Sequence, residues 1–275
     1  MKKGLVISTS PTRFAAVSHD GDLAHAFRSA AAFGYDGVEL AVRNPNSLDP
    51  AAIRQLAGEY KLAIPAIGTG QAFGEEGLNL TDPAKTVREA AIERLKAQTA
   101  FAAELNAAVI IGLIRGRGSD DPERDQAYLL ENLAEVAGNA AVMDVKLLIE
   151  PINRYETRLV NTVADGMALI RQLNTNHVLL LLDTFHMNIE EPSICGSIVK
   201  ALPLLGHVHF ADSNRRFPGA GHIDFPAVAA TLDAVGYQDY ISMEMLPWPD
   251  AEQSAREAIQ YLNQIFNYQL QGMQS

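Results

Sequence analysis

Eight times over, the chain passes from a short, mostly apolar run to a longer amphipathic stretch, and few architectures accept that pattern. The apolar runs cover residues 4–9, 37–41, 63–68, 108–112, 146–149, 178–182, 206–210 and 240–243. Runs of this length with partly β-branched residues read as strands buried on both faces. The amphipathic stretches cover 22–33, 49–60, 83–105, 122–142, 162–173, 193–202, 226–235 and 251–266. Several open with a capping side chain beside a proline that the first helical turn tolerates, as in Leu48-Asp49-Pro50, Thr81-Asp82-Pro83 and Asp120-Asp121-Pro122.

Parallel strands joined by helices cross over right-handedly, and eight such units are expected to close into a (β/α)8 TIM barrel rather than an open sheet. The 275 residues suit that fold, for which about 250 is typical. No linker, low-complexity segment or charge block divides the chain, so one α/β domain over 1–275 is expected. A net charge of −11 argues against a nucleic-acid partner, since phosphates demand a basic surface. The single cysteine, Cys195, excludes an internal disulfide framework. Only Gly4-Leu-Val-Ile7 separates Lys2-Lys3 from Ser8, too little for a signal-peptide core. No run approaches the roughly 20 apolar residues of a membrane span, so a cytoplasmic location without membrane contact is expected.

Four consecutive runs end on a metal-capable side chain: Lys146-Leu-Leu-Ile-Glu150, Val178-Leu-Leu-Leu-Leu-Asp183, Gly206-His-Val-His209 and Tyr240-Ile-Ser-Met-Glu244. Alone, each has a bland explanation, because a strand-terminal carboxylate often caps the next helix and a lone histidine is often a satisfied core residue. Together they stand at the C-terminal rim, where barrels of this type carry their active sites. Three carboxylates and one imidazole make an oxygen-rich set suited to Mn²⁺, Co²⁺ or Mg²⁺ more than to structural zinc.

The segments around these residues are recognisable. Ile149-Glu-Pro-Ile-Asn-Arg-Tyr-Glu156, Leu182-Asp-Thr-Phe-His-Met-Asn-Ile-Glu-Glu191, Gly206-His-Val-His209 with Asn214-Arg215-Arg216, and Met243-Glu244 closely resemble the xylose isomerase-like sugar isomerase/epimerase barrels. The nearest subgroup is similar to the D-tagatose/D-psicose (ketose) 3-epimerases. The resemblance spans nearly the whole chain, and Leu182-Asp-Thr-Phe-His-Met-Asn188 is its most specific run. It implies a divalent metal, Mn²⁺ first, on Glu150, Asp183, His209 and Glu244, with substrate contacts at Glu156, His186 and Arg215. It also implies a homodimer or tetramer. In the amino-terminal half, Val38-Glu-Leu-Ala-Val-Arg43, Ala66-Ile-Gly-Thr-Gly-Gln-Ala72 and Ile110-Ile-Gly-Leu-Ile-Arg-Gly-Arg117 resemble 5-keto-L-gluconate epimerases of bacterial myo-inositol catabolism.

The chemistry fits the residues. Epimerising the carbon next to a ketone means removing a weakly acidic proton and returning one to the opposite face. A metal would stabilise the enediolate, and Glu150 and Glu244, ending strands five and eight, suit the base and acid roles. His186 and Arg215, expected in rim loops, would hold the developing oxyanion, and Glu156 would accept from hydroxyls. His207 shares a strand face with His209 and reads as a barrel-layer residue.

Arg43 at the end of strand two, and Arg115 and Arg117 in the strand-four loop, would meet a substrate carboxylate, which arginine binds bidentately. Neutral-ketose epimerases tend to carry an aromatic in that loop and this chain has none, so the resemblance implies a keto-sugar acid of the 5-keto-L-gluconate/D-tagaturonate type ahead of a neutral ketose. Residues 68–74, Gly-rich but lacking a P-loop lysine, are expected to form a lid or a substrate-lining loop.

Three other readings compete. Aldose–ketose or hydroxypyruvate isomerisation would use the same site. An endonuclease IV-like phosphodiesterase would need more histidines than the seven present and a basic surface. A non-catalytic sugar-binding barrel would have no use for two opposed glutamates.

Overall fold

The computed structural model describes residues 1–13, 15–19 and 21–272, with side chains as far as residue 266 in the last helix. Among these residues the expected strands are present as β1 (Lys2–Ser8), β2 (Gly37–Ala41), β3 (Ala66–Gly68), β4 (Ala108–Ile111), β5 (Leu147–Ile149), β6 (Val178–Asp183), β7 (Leu205–Phe210) and β8 (Tyr240–Met243). All pairings are parallel and follow chain order, and β8 closes on β1 through Lys2–Tyr240 to Leu5–Met243. The result is the single closed TIM barrel that the alternation demanded.

The helices are α1 (Leu23–Phe33), α2 (Pro50–Tyr60), α3 (Gly70–Glu76), α4 (Lys85–Leu105), α5 (Pro122–Val142), α6 (Val163–Leu173), α7 (Thr184–Glu190), α8 (Ile194–Ala201), α9 (Phe225–Ala234) and α10 (Ala251–Gly272). Asp22, Asp49, Asp121, Thr162, Ser193 and Asp224 accept hydrogen bonds from the first turns of α1, α2, α5, α6, α8 and α9, as capping chemistry requires. The Thr81-Asp82-Pro83 start is corrected. Asp82 Oδ1 accepts from Ala84 N, and α4 begins only at Lys85. The loop expected over 68–74 is corrected in conformation, since α3 occupies most of it, while Gly68, Thr69, Gly70 and Gln71 do line the pocket at the barrel mouth. Both α3 and α7 are 7 residues long, too short to declare a 3.6-residue pattern.

Two hydrophobic layers follow from the period-two alternation of the strands. Outward-facing residues such as Leu5, Leu40, Val109 and Ile149 join helix residues such as Phe27, Leu95 and Leu133 in the main core. Residues of opposite parity, Ala66, Ile110, Leu148 and Leu181, form a smaller cluster that fills the barrel. The same parity continued upward places Glu150 after Leu148 and Asp183 after Leu181. It also places His209 after His207 and Glu244 after Ser242, so four polar groups crown the apolar plug. No described helix is long and apolar enough to cross a membrane.

Candidate metal centre and substrate pocket

At the rim, Glu150, Asp183, His209 and Glu244 each offer one ligand atom, and these atoms all lie within 4.8 Å of one another. His209 Nδ1 is 3.9 Å from both Glu150 Oε1 and Glu244 Oε2. The close approach depends on Gly112 beyond β4, where a Cβ would stand 2.7 Å from Glu150 Oε2. Any larger residue there would push the carboxylate away.

Electrostatics show what the cluster lacks. Burial, then the neighbouring Glu244 charge, pushes Glu150 up to about 8 and Asp183 up to about 7. Burial works against a charge on His209, yet the carboxylates of Glu39, Glu244 and Glu150 outweigh it and raise the imidazole to about 10. Asp183 Oδ2 and His209 Nδ1 are buried without a hydrogen-bond partner, an arrangement that costs free energy unless something else satisfies them. A divalent cation would satisfy both atoms and neutralise the crowded carboxylates, and three oxygens with one nitrogen are donors such an ion accepts. The residues fit the metal.

Below the cluster lies a residue the sequence reading passed over. Glu39, in the middle of β2 and only 1% exposed, faces His207 Nε2 at 2.8 Å and His209 Nε2 at 3.0 Å. Ser242 Oγ completes the group at 3.1 Å from His207 Nε2. The bonds from the two imidazoles, together with their charge, overcome burial and hold Glu39 well below the usual carboxylate range. With Nε2 of His209 occupied by Glu39, its Nδ1 is the nitrogen left for the cluster. The signal was a carboxylate inside an apolar strand, which must be paired to be buried. His207, expected as a barrel-layer residue, belongs to this group.

The pocket above the cluster brings together Glu156, His186 and Arg215 with Glu150, His209 and Glu244. His186 was expected in a loop but sits on α7, whose first turn Asp183 caps through Phe185 N at 2.7 Å. Burial, then the charges of Arg215 and Arg115, holds its imidazole well below the ordinary value. Its Nε2 lies 3.9 Å from both Glu150 Oε1 and Asp183 Oδ2. Arg215 adopts φ 59°, an uncommon left-handed conformation for a non-glycine residue. It donates to Glu156 Oε1 at 3.1 Å and to Glu244 Oε2 at 3.0 Å, with Phe185 beneath its guanidinium.

Two expected substrate arginines do not reach this pocket. Arg115 is fully buried, and its guanidinium donates to the carbonyls of Ile111, Gly112, Leu159 and Val160. Its donors are spent on loop backbone, so the expected carboxylate contact is corrected to a structural role. Arg43 points to Glu76 at 3.7 Å and does not line the pocket either. Arg117 is exposed over the Phe73 ring and lines a depression that shares Glu156 with the pocket.

Comparison with known proteins agrees with this geometry. Residues 27–265 match the xylose isomerase-like TIM barrel. The chain belongs to that family. It is 33% identical over 235 residues, 84% of this chain and 78% of the relative, to an L-ribulose 3-epimerase of Mesorhizobium japonicum. It is 32% identical over 223 residues, 78% of this chain and 76% of the relative, to a D-psicose 3-epimerase of Agrobacterium fabrum. A crystal structure of D-psicose 3-epimerase with D-tagatose from Clostridium cellulolyticum H10 superposes with a TM-score of 0.81. That structure is 26% identical, and the match covers 96% of this chain and 99% of the other. This member of the xylose isomerase-like family is an isomerase-class enzyme, as its sequence led one to expect.

Proposed function

We propose that this xylose isomerase-like barrel is a metal-dependent epimerase that inverts the carbon next to the ketone of a keto-sugar. The observation that carries the reading is the convergence of two glutamates from β5 and β8 on one four-residue cluster with orphaned, buried ligand atoms. A divalent ion held by Glu150, Asp183, His209 and Glu244, Mn²⁺ first among Mn²⁺, Co²⁺ and Mg²⁺, would polarise the substrate carbonyl and stabilise the enediolate. Glu150 removes or returns the proton on one face, and Glu244 does so on the other. His186 presents a neutral ring donor to the oxyanion, and Arg215 fixes Glu156 and Glu244 while its charge offsets the one that develops.

For the substrate we propose a keto-sugar acid of the 5-keto-L-gluconate/D-tagaturonate type. Arg117, over the Phe73 ring in a depression that shares Glu156 with the pocket, supports it as the carboxylate partner. The neutral-ketose reading draws support from a different observation, the engagement of Arg43 and Arg115 elsewhere. The names of the relatives also point that way.

The proton-transfer roles are tested by Glu150→Gln and Glu244→Gln, with metal content measured alongside turnover. An amide neither takes nor delivers the proton, so each metal-replete variant is expected to lose turnover on every ketose in a panel. Near-wild-type turnover by either variant, at full metal occupancy, would remove that glutamate from the mechanism.

A further inference from the structure

Asn153, buried to 1% exposure in the segment after β5, contacts two of the pocket's polar side chains at once. Its Oδ1 faces the backbone N–H of Tyr155 at 3.0 Å, and its Nδ2 faces Glu156 Oε1 at 3.0 Å. A backbone N–H only donates and an ionised carboxylate only accepts, so both contacts give the amide the same orientation. That orientation aims an N–H of Nδ2 at His186 Nδ1, 2.8 Å away. An imidazole nitrogen that accepts carries no proton, so a ring that accepts at Nδ1 has its proton on Nε2. Nε2 is the nitrogen that faces Glu150 and Asp183.

We propose that Asn153 is a positioning residue that fixes the His186 tautomer, so that this ring donates into the pocket rather than accepts from it. The bonds form a directed chain: Asn153 donates to His186 and to Glu156, Arg215 donates to Glu156, and the other arm of Arg215 donates to Glu244. One amide thereby orients an oxyanion donor at one end of a network whose other end is a proton-transfer glutamate. The catalytic part of this inference rests on the epimerase reading, and the tautomer part does not.

The test is Asn153→Asp, which puts an acceptor where the amide donates. Nitrogen-15 NMR of the His186 ring, in protein loaded with diamagnetic Mg²⁺, is expected to show the Nε2–H form in the wild type and its loss in Asn153→Asp. Turnover should fall by about 10²-fold, the scale of one oxyanion donor lost, when read at a temperature where the variant remains folded, since a carboxylate beside Glu156 also lowers the unfolding temperature. Asn153→Ala should sit between the two in turnover. A wild-type ring protonated on Nδ1 overturns the proposal, and it does so even if no variant folds. An Asn153→Asp enzyme that keeps wild-type turnover overturns it as well. If the tautomer switches as expected but no ketose is epimerised by the wild type, the positioning holds and the epimerase reading falls.

Discussion

Arg215 Nη2 lies 3.0 Å from Glu244 Oε2, so the one arginine among the described residues lining the pocket is bonded to one of the two glutamates that would move the proton. Its other arm holds Glu156, and a left-handed backbone places the residue where both contacts form. Lysine, with a single ammonium, cannot reproduce this two-armed contact. Arg215→Lys and Arg215→Ala are both expected to lower kcat/KM by about 10²-fold, the range for losing one preorganised donor to developing charge. Steady-state rates within about threefold of wild type would show that Arg215 only decorates the rim.

The crowded carboxylates predict how metal and pH trade against each other. Glu150 and Asp183 have folded pKa values raised above their ordinary ones, to about 8 and about 7, and His209 is raised to about 10. In each case the folded chain binds more protons than the unfolded chain inside the shifted window, so stability falls as pH rises through it. Glu39 is shifted the other way, and its contribution is lost only under acid conditions, outside this range. The metal-stripped protein should therefore melt at a lower temperature at about pH 9 than at about pH 6. Added Mn²⁺ should raise the melting temperature more at the higher pH, because it replaces protons that are already leaving. A metal-induced gain that shrinks with rising pH would contradict this electrostatic picture.

Much of the site was legible because two simple periodicities combine. The period-two alternation sends Glu150, Asp183, His209 and Glu244 to the inner face of their strands, and the barrel rule puts their ends at one rim. Glu39 was missed because its partners lie far along the chain. His207 is 168 residues away, and nothing local announces the pairing. Arg115 misled for a related reason. Its acceptors Leu159 and Val160, 44 and 45 residues on, belong to another loop whose path no motif encodes. A rim arginine and a buried strut look alike until the backbone around them is known. The short helix α7 escaped too, since its start is set by the same Asp183 that reads as a ligand.

Glu39 should matter to the metal as well as to the fold. Its carboxylate receives Nε2 of His209, which leaves Nδ1 for the cluster. Glu39→Gln offers one oxygen to two imidazoles, so one ring must turn or change tautomer. Loss of such an outer partner typically weakens metal binding by about 10–100-fold. Calorimetric titration with Mn²⁺ reads this directly, and an unchanged dissociation constant in a folded Glu39→Gln protein would rule the contact unimportant.

Arg115 is expected to behave as a strut. Arg115→Ala leaves the carbonyls of Gly112, Leu159 and Val160 without their donor, a loss on the order of 3 kcal/mol or more. For a chain of this length that corresponds to roughly a 10 °C fall in melting temperature. The ratio of activity on acid and neutral substrates should stay as in the wild type. A selective loss of activity on acids, without loss of stability, would return Arg115 to the substrate side.

Of the three arginines expected to meet a substrate carboxylate, Arg43 and Arg115 are engaged elsewhere, which leaves Arg117 to carry a preference for keto-uronates. It lies exposed over Phe73, in the depression that shares Glu156 with the pocket. A charge-assisted contact at this exposed position would contribute roughly 0.2–1 kcal/mol to the acid and nothing to a neutral ketose. That scale corresponds to up to about fivefold in kcat/KM between 5-keto-L-gluconate or D-tagaturonate and D-tagatose or D-psicose. Arg117→Ala should remove most of the difference while neutral-ketose turnover stays near wild type. The contact is also expected to weaken with added salt, because Arg117 is exposed to solvent. Wild-type enzyme that turns over D-psicose as well as the keto-uronates would leave Arg117 a solvated surface charge and make the neutral ketose the substrate.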